Sequence, residues 1–231
     1  MADHRHSRAD GSPSEPLDSR LRGNDALNQL IATAQAMQPA GLNRGTSGNV
    51  SVRSGDGFYI TPTGMSYASL TENDIPLMAF DGSHQGQRKP SSEWRFHRDL
   101  YASRPEIGAV LHAHSPFAVS LACLRLDIPP FHYMIARFGG NTIRCADYAI
   151  FGSESLSTAA LAAMHQRKGC LLANHGLLVA GRNLDEALAL ACELEELCEQ
   201  YWRACQLGQP VLLTTDEMAA VLEKFAHYGQ Q

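Results

Sequence analysis

The sequence predicts an α/β domain built on a mixed, largely antiparallel sheet. Two early apolar runs are joined by Gly55-Asp56-Gly57, which is typical of a hairpin turn between antiparallel strands. Later apolar runs alternate irregularly with segments of helical periodicity, giving about five helices and about seven or eight short strands. This order does not fit a regular repeat of βαβ units. The 231 residues suffice for one sizeable core and are few for two domains.

The first half of the chain supplies the hairpins. A helix is predicted over residues 25–37, where apolar residues recur at helical spacing and Asn24 or Asp25 can cap the first turn. A glycine-rich segment leads into a strand at 50–53. Further strands are predicted in "GFYIT" and "IPLMAF", and a second helix runs from about Ser92 to Ser103, since Pro105 follows its end.

The second half supplies more helices. A strand ends near His114, because Pro116 cannot donate to a sheet, and a short helix follows that proline. A capped helix in "GSESLSTAALAAMHQRKG" ends at Gly169. The apolar runs of "CLLANHGLLVAG" are hinged at 174–176. Two amphipathic helices complete the chain, in "NLDEALALACELEELCEQYWRACQLG" and "TTDEMAAVLEKFAHYG".

The composition argues against nucleic-acid binding and a membrane span, and it indicates a cellular compartment. The net charge of −5 offers no basic patch for nucleic acid, and no apolar stretch approaches the roughly 20 residues of a membrane span. The six cysteines form no CxxC pair, which favours free thiols in a reducing cytosol and predicts a cytoplasmic protein. Residues 1–24 are polar and lack an apolar stretch, so we expect a disordered N-terminal tail before a domain at 25–231.

Two histidines end the strand in "AVLHAHSPF". His112 and His114 are two residues apart and therefore point to the same face of a strand. Two imidazoles side by side suit a zinc site, which needs a third ligand and often a fourth. The alternative is a pair of histidines that each bond to backbone at a strand terminus. Both interpretations remain open from this motif alone.

Two other residues are candidate ligands. His175 lies at the bend between two apolar runs, where a side chain is more often aimed than packed. Glu93 opens a helix after two serines, and a single acid there ordinarily stabilises the first turn. His97, one turn further along, is predicted to be a packing or surface residue.

Eight blocks of sequence, in order, resemble the class II aldolase/adducin family between residues 25 and 229. They are "LNRGTSGNVSVR", "ITPTGM", "PSSEWRFH", "VLHAHSP", "HYMIARFGG", "YAIFGS", "NHGLLV" and "VLEKFAHYG". The resemblance implies a three-layer α-β-α sandwich. It also implies one Zn²⁺ per subunit and a homotetramer whose active site lies at a subunit interface.

The resemblance also implies roles for individual residues. It assigns His112, His114 and His175 to the metal, with Glu93 as catalytic acid/base and further metal ligand. The residues implied for substrate phosphate lie in small polar loops that let backbone N–H groups approach an anion, and they are Gly48, Asn49, Thr63, Gly64, Ser91 and Ser92. Tyr133 and Tyr228 are implied to act on the aldehyde, beside an aromatic wall at Phe151.

The implied reaction is reversible cleavage of L-fuculose 1-phosphate, or of a related deoxyketose 1-phosphate, to dihydroxyacetone phosphate and an aldehyde such as L-lactaldehyde. 5-Deoxyribulose 1-phosphate is an alternative substrate that the sequence does not separate. A sugar-phosphate 4-epimerase and a methylthioribulose-1-phosphate dehydratase are alternative chemistries, although the epimerase branch usually carries Asp at the position of Glu93. A non-catalytic, adducin-like interaction module is the alternative outside enzymes.

Overall fold

The structure is a computed structural model that describes residues 17–226, with side chains for 24–225. The α-helices within this range are α1 (Leu17–Met37), α2 (Trp94–Ser103), α3 (Pro116–Ala122), α4 (Glu154–Met164), α5 (Leu184–Leu207) and α6 (Thr215–Ala226). Short 3-10 helices occupy Tyr67–Ser69, Glu72–Asp74 and Tyr133–Phe138. None of the helices in this range is both long and apolar enough to cross a membrane.

One eight-stranded sheet runs through the described residues. Its strands are β1 (Asn49–Ser54), β2 (Gly57–Ile60), β3 (Leu77–Ala79), β4 (His84–Gln85), β5 (Ala109–Ala113), β6 (Cys145–Ala146), β7 (Gly169–Leu172) and β8 (Gly176–Gly181). Their spatial order is β4-β3-β2-β1-β5-β8-β7-β6. Every neighbouring pair is antiparallel except β6 and β7, so the prediction of a mixed, largely antiparallel sheet is confirmed.

Alternating side chains of the central strands divide the core into two layers. Leu111 of β5 and Val179 of β8 belong to the cluster that packs against α1, α3 and α5. Val110 and Leu178, their chain neighbours, belong to the cluster that packs against α2 and α4. Both faces of the sheet are thus buried under helices, which confirms the three-layer α-β-α arrangement.

One helix boundary and two short strands differ from the predictions. Helix α1 begins at Leu17, earlier than the predicted start at Asp25. The stretch between them contains no proline, and extending an existing helix is easier than starting one. The disordered tail at 1–24 is therefore not supported for residues 17–24, and residues 1–16 lie outside the described range. Strands β4 and β6 have two residues each, too few for a recognisable alternation.

Candidate metal centre

The end of β5 brings two imidazoles together. His112 is the last but one residue of the strand and is fully buried, and His114 follows the strand directly. Their Nε2 atoms lie 2.9 Å apart, and the ring centroids are 4.8 Å apart. The same-face placement expected from strand alternation is therefore present.

The third imidazole comes from the tight hairpin between β7 and β8. Leu172 pairs with Gly176 across the hairpin, so His175 lies in the turn. Asn174 supplies the left-handed backbone (φ +54°) that this turn requires, a conformation that asparagine tolerates better than most residues. The ring of His175 lies 4.7 Å from that of His112 and 4.8 Å from that of His114.

Glu93 completes the cluster from the residue immediately before α2. Its Oε2 lies 3.3 Å from Nε2 of His112, and its Oε1 lies 3.2 Å from Nε2 of His175. One ligand atom from each of Glu93, His112, His114 and His175 lies within 4.8 Å of the others. Ligands about 2.0–2.1 Å from a tetrahedral ion are about 3.3 Å from one another, so these separations fit a bound divalent metal.

The hydrogen bonds of the cluster also fit a cation. Nδ1 of His112 lies 2.8 Å from the carbonyl oxygen of Leu177, which only accepts, so Nδ1 carries the proton and Nε2 presents a lone pair to the cluster. That lone pair faces a carboxylate oxygen, which is repulsive without a cation between them. Oε1 of Glu93 is buried and lacks a hydrogen-bond donor among the described residues. The donor set therefore matches a metal better than a hydrogen-bonded structural cluster.

Protonation favours ligation at neutral pH. Burial lowers the pKa of His114 and of His175 to about 4, so both imidazoles are neutral at pH 7. Burial alone would raise the pKa of Glu93, but at low pH its attraction to the protonated imidazoles outweighs burial and lowers the pKa to about 2. Imidazoles that bind through a nitrogen lone pair add no charge, so three of them with one carboxylate leave a divalent ion with net positive charge, as a Lewis-acid site needs.

A buried polar layer lies behind Glu93. Nδ2 of Asn49 donates to Oε2 of Glu93 at 3.1 Å, and Oδ1 of Asn49 lies 2.5 Å from Nε2 of His97. His97 is fully buried, which fits the packing alternative of its prediction and excludes the surface alternative. Its other ring nitrogen lies 2.7 Å from Oγ of Ser51. Asn49, predicted to bind phosphate, therefore also contacts the candidate catalytic carboxylate.

His97 predicts a pH-dependent contribution to stability. Burial, with a smaller effect of His112, lowers its pKa from 6.5 to about 3. Between these two pH values His97 is protonated in the unfolded chain but not in the folded chain, so the free energy of unfolding decreases as pH falls from 6.5 toward 3. Between pH 7 and 5 the metal-free protein should lose about 2 kcal/mol through this group. Urea unfolding at both pH values checks it: His97→Gln should show a correspondingly smaller loss, and an equal loss in both proteins would contradict the assignment.

Two loops lie against each other beside Glu93. The Thr63 N–H donates to the Lys89 carbonyl at 3.1 Å, and the Ser91 N–H donates to the Thr61 carbonyl at 3.0 Å. Thr63, Gly64 and Ser92 are exposed on this rim, whereas Ser91 is buried. Helix α2 begins directly after Glu93, so its free backbone N–H groups add a positive end here. The structure thus brings these predicted phosphate residues to one edge of the cluster.

Gly48 is held between two parts of the site. Its φ is +78°, and an added Cβ would lie 2.6 Å from the Asn43 side chain and 2.7 Å from the carbonyl oxygen of His112. Gly48→Ala should therefore lower the free energy of unfolding by about 2 kcal/mol or more. Gly55→Ala is the matched control, since Gly55 also has positive φ (+52°) but an added Cβ meets nothing within 4 Å. Chemical denaturation checks this, and equal losses in both variants would show that the close contacts are relieved without cost.

The predicted aldehyde-side residues are not joined to the cluster by any described contact. Tyr133 is 51% exposed, and Phe151 is 66% exposed. The loop carrying Phe151 nevertheless packs near the phosphate rim, since a Cβ on Gly152 would lie 2.7 Å from the carbonyl oxygen of Ser92. Tyr228 lies outside the described residues.

Comparison of the sequence with known families and proteins gives one consistent match. The model of the class II aldolase and adducin N-terminal domain matches residues 28–202. A 5-methylthioribulose-1-phosphate/5-deoxyribulose-1-phosphate aldolase from Rhodospirillum rubrum is 56% identical over 87% of this chain and 90% of its own. An L-fuculose phosphate aldolase from Escherichia coli K12 is 46% identical over 90% of this chain and 98% of its own.

Solved structures agree with this match. A structure of L-fuculose 1-phosphate aldolase superposes with a TM-score of 0.84 at 40% identity, covering 87% of this chain and 96% of its own. A putative aldolase/epimerase/decarboxylase from Escherichia coli, YgbL, superposes with a TM-score of 0.79 at 29% identity. The resemblance noted from the sequence blocks therefore extends to the fold over 87% of the chain.

Proposed function

Because this chain is a lyase of the class II aldolase and adducin family, we propose that it is a zinc-dependent aldolase that splits a deoxyketose or methylthioketose 1-phosphate into dihydroxyacetone phosphate and an aldehyde. One observation carries the proposal. Oε1 of Glu93 is buried, lacks a hydrogen-bond donor among the described residues, and lies beside three imidazoles in metal-ligand geometry. A carboxylate held in this way is available to accept a proton from a bound substrate.

The metal would be held by His112, His114 and His175, with Glu93 as a further ligand before substrate binds. When bound, a zinc ion would supply Lewis-acid polarisation of the ketose carbonyl. Aldolases without a metal use a lysine that forms a Schiff base. The lysines here are Lys89, Lys168 and Lys224, and Lys168 is engaged with Glu186 at 2.8 Å.

Glu93 moves the proton. Its carboxylate is ionised at neutral pH and can accept a proton from the carbon next to a polarised carbonyl. In the condensation direction Oε1 takes a proton from the hydroxymethyl carbon of dihydroxyacetone phosphate. In the cleavage direction the same oxygen returns it. Asn49 holds Oε2 meanwhile and leaves Oε1 free.

The phosphate would lie on the rim formed by Gly48, Thr63, Gly64, Ser91 and Ser92. Hydroxyl groups and backbone N–H groups at the start of α2 would donate to its oxygens. Nδ2 of Asn49 has two hydrogens, of which Glu93 takes one, so the second remains for the substrate. This arrangement fixes the ketose end and leaves the aldehyde end to vary.

The aldehyde end would be completed by a second copy of the chain. Tyr133 and Phe151 are exposed in the single chain, and large aromatic side chains are typical of subunit interfaces. We place Tyr133 and Tyr228 at a neighbouring subunit's site in a homotetramer, where a tyrosine hydroxyl can protonate the alkoxide formed on the aldehyde carbon. Phe151 would line that site.

Three substrates fit this scheme and differ only in the aldehyde. Removing the three carbons of dihydroxyacetone phosphate leaves a two-carbon aldehyde from 5-deoxyribulose 1-phosphate, or its methylthio derivative from 5-methylthioribulose 1-phosphate. L-Fuculose 1-phosphate leaves L-lactaldehyde. We favour the ribulose derivatives, because the Rhodospirillum rubrum aldolase named for them is 56% identical, against 46% for the fuculose phosphate aldolase.

A coupled assay tests the proposal. The purified chain is given each of the three ketose phosphates, and dihydroxyacetone phosphate is followed with a reductase, before chelation, after chelation and after Zn²⁺ is restored. We expect zinc-dependent release, fastest from a ribulose derivative. Faster release from L-fuculose 1-phosphate would reverse the substrate order. Loss of water or a change of configuration without release would identify a dehydratase or an epimerase, and neither zinc nor reaction would identify an interaction module.

A further inference from the structure

A continuous chain of hydrogen bonds extends from Glu93 into the layer between the sheet and α2. Beyond Asn49 and His97, Oγ of Ser51 lies 2.8 Å from the hydroxyl of Tyr101. Ser51, His97 and Tyr101 are each no more than 1% exposed. Burying a polar group costs free energy unless the group is hydrogen-bonded, and each of these side chains has a hydrogen-bond partner in this row.

The secondary structure places these residues in line. Asn49 and Ser51 are two residues apart on β1, so their side chains point to the same face of the sheet, toward α2. In the neighbouring strand β5, Asn49 pairs with His112 and Ser51 pairs with Val110. On the helix side, Glu93, His97 and Tyr101 recur every four residues and share one face. The strand and the helix therefore present matching polar rows inside an otherwise apolar layer.

The carboxylate fixes the direction of every bond in the chain. Glu93 only accepts, so Asn49 must present its NH₂ group to Glu93 and its carbonyl oxygen to His97. His97 must then donate from Nε2. Being buried among neutral partners it is uncharged, so its Nδ1 accepts from Ser51. Because Ser51 donates its only hydroxyl proton to His97, it can only accept from Tyr101, so the Tyr101 hydroxyl must donate to Ser51.

We infer that Ser51, His97 and Tyr101 are positioning residues for the proposed reaction, setting the amide of Asn49 so that it holds Oε2 of Glu93 and leaves Oε1 free to carry the proton. The inference rests on the proposed function for its catalytic consequence, but the direction of the bonds is a property of the protein alone. If His97 held its proton on Nδ1, Asn49 would turn and present its carbonyl oxygen to the carboxylate, which would repel it.

The tautomer of His97 is measured first, because it does not depend on activity. In the full-length protein labelled with ¹⁵N-histidine, proton–nitrogen correlation spectra distinguish the two neutral tautomers from imidazolium, and His97→Gln assigns the signal. We expect His97 as the Nε2–H tautomer at pH 7. An Nδ1–H tautomer or an imidazolium would overturn the inference, whether or not the enzyme cleaves ketose phosphates.

Kinetics then test the positioning role on the metal-loaded enzyme. His97→Leu removes the donor to Asn49 and should lower kcat about 10- to 100-fold with little change in KM. His97→Gln can still donate at the position of Nε2 and should recover most of that loss. Ser51→Ala leaves both tautomers of His97 allowed and should lower kcat by a smaller factor than His97→Leu does.

Ser157→Ala is the matched control, since Ser157 is equally buried and donates to Asp99 at 2.6 Å outside the chain of bonds. We expect kcat within twofold of the original protein. If kcat in the His97 variants only followed their loss of unfolding free energy, with no recovery in His97→Gln, the positioning role would be excluded. An original protein without aldolase activity but with the Nε2–H tautomer would reject the proposed function and leave the hydrogen-bond direction established.

Discussion

Replacing Glu93 by glutamine is expected to lower kcat for ketose phosphate cleavage by about 10³-fold or more. Proton transfer by a positioned side chain is worth about 10²- to 10⁴-fold, and a glutamine amide of nearly equal size cannot accept the proton. The variant should keep its metal, because the three imidazoles remain, and KM should change little. The measurement is steady-state kinetics together with metal content by mass spectrometry.

The control for Glu93→Gln is Glu186→Gln. Glu186 is another glutamate whose pKa is lowered to about 2, in this case by Lys168 and Arg182 against burial, and it lies in the first turn of α5 outside the cluster. It should leave kcat within about twofold, because Glu186 is not part of the Glu/His cluster. A Glu93→Gln enzyme that kept more than a tenth of the original kcat would refute the acid/base role.

Replacing His175 by alanine is expected to remove the metal and nearly all activity. Losing one of three imidazoles leaves a site that holds a divalent ion weakly, and metal binding stabilises only the folded chain, so the melting temperature should also fall. His175 is the best position for this test, because it lies in a hairpin turn and is partly exposed, whereas His112 is fully buried in a strand.

His165→Ala is the matched control, since His165 is exposed just after α4 and outside the cluster. Metal content, melting temperature and kcat should match the original protein. Excess Zn²⁺ should restore part of the activity of His175→Ala. Retention of a full equivalent of metal by His175→Ala, with unchanged activity, would contradict the assignment of this ligand.

The sheet could be predicted where alternation is long enough to recognise. The apolar residues Val110 and Leu111 of β5 predict a buried strand, and in the structure they are buried on opposite faces of the sheet. The strand β1 is harder to interpret, because the alternation of Asn49, Val50, Ser51 and Val52 predicts one buried apolar face and one polar face exposed to solvent. That face is covered by α2, and Ser51 is fully buried.

The metal ligands were accessible from the sequence because their chemistry is local. His112 and His114 share a face through strand geometry alone, and His175 lies at a hinge between apolar runs. The buried chain behind Glu93 was not found, although the four-residue spacing of Glu93, His97 and Tyr101 was visible. What the spacing could not reveal is that this helix face packs on β1, since that contact depends on tertiary structure.

Hydrogen exchange in dihydroxyacetone phosphate tests the central claim most directly. The enzyme is incubated with this compound in D₂O without any aldehyde, and proton NMR follows the hydroxymethyl carbon, so the result does not depend on which aldehyde the enzyme prefers. We predict rapid exchange of one of the two hydrogens, abolished by chelation, restored by Zn²⁺ and absent in Glu93→Gln. No exchange by the zinc-loaded protein, or equal exchange by Glu93→Gln, would contradict the assignment of Glu93 and the metal cluster to proton transfer.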